Sequence, residues 1–75
     1  MIVSETEFLA FVADLFEVPV DSISLDTVYE SIPAWDSVMQ LRLTLEISAA
    51  WQIDIPLDEI AGLRTLGQFY AYVKG

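Results

Sequence analysis

Three prolines divide this chain, and a proline inside a helix removes a hydrogen bond and clashes with the preceding turn. Pro19, Pro33 and Pro56 divide the chain into four segments, and in all but the second the apolar residues recur at helical spacing. In the first segment, Ser4 and Glu7 form a predicted capping box, in which each side chain accepts from a free backbone N–H group. This helix should end before Pro19, because the residue that precedes a proline disfavours helical backbone.

The segment after Pro33 predicts the longest helix of the chain. Asp36 is the expected N-cap, and the helix should cover residues 37–51. Residues 19–35 form a long loop by ordinary standards, and we expect a short helical turn at residues 27–30.

The last third of the chain predicts two further helices. Residues 53–56 form an extended link, and residues 57–61 form a brief helix that Gly62 closes. Thr65 and Gln68 form a second capping box that opens the last helix, whose apolar stripe comprises Leu66, Phe69 and Val73. Because no stretch alternates between apolar and polar residues, we predict an all-α fold, a small four-helix bundle of three main helices plus one short helix.

Composition limits the kinds of protein that this chain can be. A length of 75 residues predicts a single domain spanning 1–75, and an apolar content of 55% favours folding. Twelve acidic residues against three basic ones make nucleic acid an unsuitable partner, whereas a protein with a basic patch suits this charge. No apolar run is long enough for a membrane span and no secretory signal is present, so we expect a cytoplasmic protein. We also expect a monomer, and Met1 and the compact ends favour a free-standing protein over a part of a larger synthase.

The central helix carries two apolar stripes when its residues are plotted at 100° each. One stripe comprises Val38, Leu41, Leu45 and Ala49, and the other comprises Met39, Leu43, Ile47 and Ala50, with Trp51 at its edge. Polar rows separate them, with Gln40, Thr44 and Ser48 on one side and Arg42 and Glu46 on the other. A surface helix needs one buried stripe, so the second stripe is either core or a docking face for a partner.

Ser37 is a candidate functional residue without a base to activate it. The chain contains no histidine and its only lysine is Lys74, so a serine hydrolase would lack its general base, and we predict no catalytic residue. No cysteine is present and Asp36 has no clustered partner, so no metal site is predicted. Asp36 and Ser37 could simply cap the helix. A hydroxyl on a first helical turn also suits an attached anion such as a phosphate ester, because free N–H groups and the helix dipole favour negative charge there.

The residues around Ser37 resemble the phosphopantetheine attachment motif of acyl carrier and peptidyl carrier proteins. Asp36-Ser37-Val38 opens a helix in a small acidic chain, as that motif does. Trp51 and residues 53–56 (Ile-Asp-Ile-Pro) follow at the spacing of the family without a gap. Residues 65–67 (Thr-Leu-Gly) resemble the Thr-Val-Gly turn before the last helix of the family, and Tyr72 its late aromatic residue. The resemblance covers nearly the whole chain.

This resemblance implies an acyl or aminoacyl carrier protein with the helical fold of acyl carrier proteins. A phosphopantetheinyl transferase would attach 4'-phosphopantetheine from coenzyme A to Ser37, and the thiol of that group would carry cargo as a thioester. Loading enzymes and downstream biosynthetic enzymes would be the other partners. The domain itself would not be an enzyme, which explains why Ser37 has neither a histidine nor a cysteine nearby.

The resemblance also implies which residues meet partners. The partner-facing residues of the family correspond to Val38, Arg42 and Leu45, so we expect the stripe that includes Leu41 to be a docking face. Trp35, which stands where the family usually has a small residue, either packs under the loop or contacts the prosthetic arm and partners, and we include it in the expected partner surface.

Two departures bear on which carrier this is. Fatty-acid carriers usually have acidic residues where this chain has Met39 and Arg42, so docking should be less electrostatic or differently directed. The Trp-Asp-Ser form resembles free-standing carriers of specialised pathways, and D-alanyl carriers of similar size are an alternative. A different class of function also stays open, an unmodified acidic helical adaptor that binds partners through Val38, Leu41 and Leu45.

Overall fold

The fold is a small bundle of helices. A computed structural model describes residues 3–74, and the ends of the predicted domain, Met1, Ile2 and Gly75, lie outside the described residues. The main helices are α1 (Glu5–Phe16), α2 (Ser37–Trp51) and α3 (Leu66–Val73). A 3₁₀ turn (Val20–Ser22) follows α1, and a longer segment, here called the 3₁₀ helix (Leu57–Gly62), precedes α3. The predicted all-α bundle of three main helices and one short helix is confirmed.

Helix α1 begins as predicted and ends earlier. The Ser4 hydroxyl accepts a hydrogen bond from the Glu7 N–H at 3.1 Å, which is one half of the predicted capping box. The helix ends at Phe16 because Glu17 adopts left-handed backbone, with φ of 59°. The Val18 N–H then donates to Ala13 O at 3.0 Å, so a carbonyl of the last turn is satisfied before Pro19 is reached.

The long loop bonds to the start of α3 instead of forming its own helix. The helical turn predicted at residues 27–30 is wrong. Val28 forms an isolated antiparallel β-bridge with Thr65, and the Tyr29 N–H donates to Arg64 O at 2.7 Å. These backbone groups are satisfied by residues far along the chain, and a local helical pattern cannot reveal such pairing.

Helices α2 and α3 have the predicted caps. The Asp36 carboxylate accepts from the Met39 N–H at 2.8 Å, and both hydrogen bonds of the Thr65–Gln68 capping box are present. The 3₁₀ helix includes Gly62 and is capped by Leu63, so the prediction that Gly62 closes a helix ending at residue 61 is wrong.

The core lies where the three main helices meet the long loop. Leu43 and Ile47 of α2 are fully buried, so the middle of the stripe that they share with Met39 and Ala50 is core, whereas Met39 is half-buried and Ala50 is exposed. The predicted stripe of α3 is buried too. The largest fully buried side chains are Trp35, Phe8, Phe69, Leu43, Ile47, Leu66 and Val12. One face of α2 is therefore buried in the core, and the opposite face is exposed at the surface.

Candidate functional site

Ser37 is the first residue of α2 and is exposed to solvent. Asp36 fixes the start of the helix, since its carboxylate caps the Met39 N–H and its carbonyl accepts from the Gln40 N–H at 2.8 Å. The first N–H groups of any α-helix have no partner inside the helix. The Ser37 hydroxyl is thus held at the positive end of the α2 dipole, where an attached phosphate is favoured.

Trp35 anchors the chain just before Ser37. Its side chain is 1% exposed and packs against Phe16, Tyr29 and Phe69, with ring centroids 5.7, 5.9 and 6.3 Å apart. The expectation that Trp35 contacts partners is therefore wrong, because a side chain inside the core does not reach another protein. Its large apolar surface is instead used to seat the loop that presents Ser37.

Gln40 joins that loop to the 3₁₀ helix. Its Oε1 accepts from Trp35 Nε1 at 2.7 Å, and its Nε2 donates to Ile60 O at 2.8 Å and to Leu63 O at 2.9 Å. The amide is 7% exposed, so these bonds meet the requirement that a buried polar group be paired. The sequence places Gln40 and Thr44 in a polar row between the two apolar stripes, and in the structure this part of the row faces the interior. Both are buried, and Thr44 Oγ1 donates to Gln40 O at 3.0 Å.

A groove of about 540 Å³ opens beside Ser37, between α2, the 3₁₀ helix and the long loop. Its lining residues are Tyr29, Ser37, Gln40, Leu41, Leu57, Ile60, Ala61 and Arg64. Most of these side chains are apolar, so the groove suits a flexible chain with apolar parts that starts at the Ser37 oxygen. The residues present therefore fit a prosthetic arm on Ser37.

Sequence reasoning missed several groove residues. Leu57 lines the groove and is 78% exposed. Its exposure could have been suspected from the sequence, where this leucine stands between Pro56 and the acidic Asp58. Tyr29 and Arg64 reach the groove through the long-range pairing of the loop with the start of α3, for which the sequence offers no local signal.

The first stripe of α2 forms an apolar face on the surface, made of Val38, Leu41 and Leu45. These side chains are 75%, 50% and 59% exposed. Exposed large apolar residues on adjacent turns of one helix are typical of an interaction surface. The face begins next to Ser37, and Leu41 belongs to both the face and the groove wall.

Arg42 lies at the border of the apolar face, on the side of α1. It is exposed and lines a separate cleft of about 260 Å³ together with Asp14, Glu17 and Glu46. Its charge is therefore set among carboxylates, which reduces the positive potential that a partner would meet there.

Among residues 3–74, no three acidic, histidine or cysteine side chains are grouped so that they could hold a metal ion. Within the same residues, none of the helices is both long and apolar enough to cross a membrane.

Comparison with known proteins identifies the class to which this fold and site belong. The family model described as "Phosphopantetheine attachment site" matches residues 6–73. The acyl carrier protein of Beutenbergia cavernae is 29% identical over 76 aligned positions, which cover 96% of this chain and 93% of that protein. No solved structure matches. The chain belongs to the phosphopantetheine-binding carrier family, whose prosthetic group is 4'-phosphopantetheine, and the resemblance found in the sequence is confirmed.

Proposed function

We propose that this chain is an acyl carrier protein and that Ser37 is the residue to which 4'-phosphopantetheine is attached. The observation that supports this most is the position of Ser37, exposed on the first turn of α2 at the edge of a largely apolar groove. Family membership over residues 6–73 supports the cofactor. The proposal takes residues 1–75 as one carrier domain, monomeric and cytoplasmic.

Attachment requires an outside enzyme, because the chain contains no histidine that could serve as the base. A phosphopantetheinyl transferase would accept the proton of the Ser37 hydroxyl as the oxygen–phosphorus bond forms. The pyrophosphate bond of coenzyme A breaks in the same step, and adenosine bisphosphate leaves. When bound, the prosthetic group supplies a thiol that carries the acyl cargo as a thioester. The tasks of the chain itself are to present Ser37, to cover the arm and to dock with enzymes.

The docking surface in this proposal is the apolar face with Arg42 at its border. Val38, Leu41 and Leu45 are exposed beside Ser37, so an enzyme that reaches the arm also meets them. Partners are the transferase, loading enzymes and downstream biosynthetic enzymes, and the acidity of the chain favours basic patches on them. The absence of acidic residues at positions 39 and 42 supports a specialised pathway over fatty-acid synthesis, and an aminoacyl or D-alanyl cargo is the alternative within this class.

Intact-protein mass spectrometry tests the attachment. The purified chain, incubated with coenzyme A and a transferase of broad specificity, should gain the mass of one 4'-phosphopantetheinyl group. Ser37→Ala should gain nothing. Ser31→Ala is the matched control, because Ser31 is also exposed, in the loop before α2, and it should gain the same mass as the wild type. Unchanged helical circular dichroism in both variants excludes misfolding as the cause. No gain by the wild-type chain with several transferases would contradict the proposal.

The exposed apolar face also favours a second function, an unmodified adaptor that binds proteins through Val38, Leu41 and Leu45. The two functions differ in what Ser37→Ala does to the pathway that the chain serves. An adaptor keeps its activity in this variant, whereas a carrier loses it. Leu45→Asp should impair both, and Ala10→Asp, which introduces the same carboxylate at an exposed position of α1, is its control.

A further inference from the structure

One of the few cations of this chain lies in the groove beside Ser37. The basic residues are Arg42, Arg64 and Lys74, against twelve acidic ones. Arg64 lines the groove, whereas Arg42 lines the cleft toward α1 and Lys74 lies over the ring of Tyr70. In a chain with a net charge of −9, a cation in the groove next to the candidate attachment residue calls for a physical explanation.

The backbone of Arg64 is fixed on both sides. Its carbonyl accepts from the Tyr29 N–H at 2.7 Å, and its N–H donates to Gln68 Oε1. The guanidinium carbon lies 5.3 Å from the centre of the Tyr29 ring, within the range of a cation–π interaction. Stacking and backbone bonds restrict where the side chain can go, so less conformational entropy is lost when the guanidinium binds a ligand.

The rest of the groove leaves Arg64 as its charged group. The Gln40 amide is already engaged by Trp35, Ile60 and Leu63. The other walls are apolar, from Leu41, Leu57, Ile60 and Ala61. Guanidinium groups bind phosphate oxygens with paired, charge-assisted hydrogen bonds, and Arg64 is exposed, so an anion in the groove can reach it.

An anion on Ser37 also needs such a partner. The Asp36 carboxylate adjoins Ser37 in the chain, and like charges at short range repel. A nearby guanidinium offsets this repulsion. Arg64 is the basic residue that shares the groove with Ser37, so it is the one placed to do so.

We propose that Arg64, held against Tyr29, binds the phosphodiester that joins the prosthetic arm to Ser37 and thereby directs the arm into the groove instead of into solvent. This inference rests on the proposed function and assigns a second, non-covalent residue to the same site. It also assigns Tyr29 the role of positioning the Arg64 guanidinium.

Nuclear magnetic resonance of the arginine side chains tests the proposal with little ambiguity. The chain has two arginines, so the Nε–H spectrum contains two signals, which Arg42→Gln and Arg64→Gln assign. On attachment of 4'-phosphopantetheine, the Arg64 signal should shift and its exchange with water should slow several-fold, because its proton enters a hydrogen bond. The Arg42 signal should stay unchanged and serves as the internal control. The phosphorus signal of the arm should differ between wild type and Arg64→Gln, but not between wild type and Arg42→Gln.

Each other outcome has a definite meaning. If attachment is verified by mass and neither the Arg64 signal nor the phosphorus signal responds, Arg64 does not bind the phosphodiester and only this inference fails. A response seen only after loading of a cargo with a terminal carboxylate also overturns it, because the cargo is then the ligand. If no attachment occurs, the proposed function fails together with it. If Arg64→Gln proves unstable, Arg64→Lys replaces it as the test variant. Lysine keeps the charge but lacks the planar fork of arginine, so the phosphorus signal of Arg64→Lys should differ from that of the wild type by a smaller amount.

Discussion

Two buried side chains, Trp35 and Gln40, determine how Ser37 is presented. Trp35 fills the core with its ring, and Gln40 satisfies the indole N–H while bonding two carbonyls at the end of the 3₁₀ helix. Asp36 and Ser37 could be predicted from the sequence, because capping and motif chemistry are local. The role of Gln40 could not be predicted, because only the three-dimensional arrangement brings its side chain to the Trp35 indole and to the Ile60 and Leu63 carbonyls.

Gln40→Leu should lower the free energy of unfolding by about 2–4 kcal/mol, because it leaves an indole N–H and two carbonyls without partners in a buried place. Thr44→Val is the matched control on the next turn. This substitution removes the hydrogen bond from Thr44 Oγ1 to the Gln40 carbonyl, which lies within α2 and also accepts a backbone hydrogen bond of the helix. It should therefore lower the free energy of unfolding by about 1 kcal/mol or less. Urea denaturation followed by circular dichroism measures both. Equal losses of unfolding free energy in the two variants would contradict the prediction that the Gln40 hydrogen bonds contribute more to stability than the Thr44 hydrogen bond does.

Tyr72 should make the folded state sensitive to alkali. Its hydroxyl donates to Glu59 Oε1 at 2.6 Å, and this hydrogen bond, assisted by burial and by the charges of Glu59 and Asp58, raises the pKa of Tyr72 above its usual value. A folded-state pKa above the unfolded one gives stability that is fully present below about pH 10 and is lost as the pH rises through the folded-state pKa.

Stability should therefore fall above about pH 10 more steeply in the wild type than in Tyr72→Phe, as measured by urea unfolding at a series of pH values. Glu59→Gln should lower the pKa of Tyr72, which absorbance of the phenolate reports, because the leading cause of the shift is removed. An unchanged phenolate titration in that variant would refute the assignment.

Helix boundaries show what local sequence can and cannot predict. The bounds of α2 match residues 37–51, and the start could be predicted because Asp36 caps it. The end of α1 was misplaced because Glu17 adopts left-handed backbone, a conformation that favours glycine and that glutamate gives no reason to expect. The helical turn predicted at residues 27–30 was wrong for another reason, because residues 25–29 bond to residues 64–67.

Gly67 holds the loop close to α3, and this close approach can be tested. Its N–H donates to Leu25 O at 2.8 Å, and a Cβ at this position would lie 3.1 Å from the same oxygen. Gly67→Ala should lower stability by about 1 kcal/mol despite the helix preference of alanine, which alone would add about 1 kcal/mol.

Gly62→Ala is the control for this prediction, because a Cβ there has nothing within 4 Å. It should leave the melting temperature unchanged or slightly raised, since alanine reduces the freedom of the unfolded chain. A gain in stability from both substitutions, measured by thermal unfolding, would show that the loop does not need the close contact at Gly67.

The whole molecule carries many like charges on a small surface. Twelve acidic residues and three basic ones give a net charge of −9 over 75 residues, and such self-repulsion opposes the compact state. The family resemblance extends over nearly the whole chain, and it predicted both the helical bundle and Ser37 as the attachment residue. It did not predict the groove, because Tyr29, Leu57 and Arg64 come from three separate segments.

Added salt should therefore raise the melting temperature from its value at low ionic strength, and a divalent cation should raise it at lower concentration, because both screen carboxylate repulsion. An uncharged solute at the same osmolality is the control, because it changes the activity of water without screening charges. A melting temperature that does not respond to salt would mean that repulsion does not limit stability.

The identity of the modified oxygen is the most direct test of the central claim, that α2 presents Ser37 for attachment. The chain is modified with coenzyme A and a transferase, cleaved after arginine, and the fragment that ends at Arg42 is sequenced by tandem mass spectrometry. This fragment also contains Ser4, Ser22, Ser24 and Ser31, which are internal controls in the same spectrum. We predict that the added mass lies on Ser37 alone. Mass on another serine, or on none, would contradict the claim.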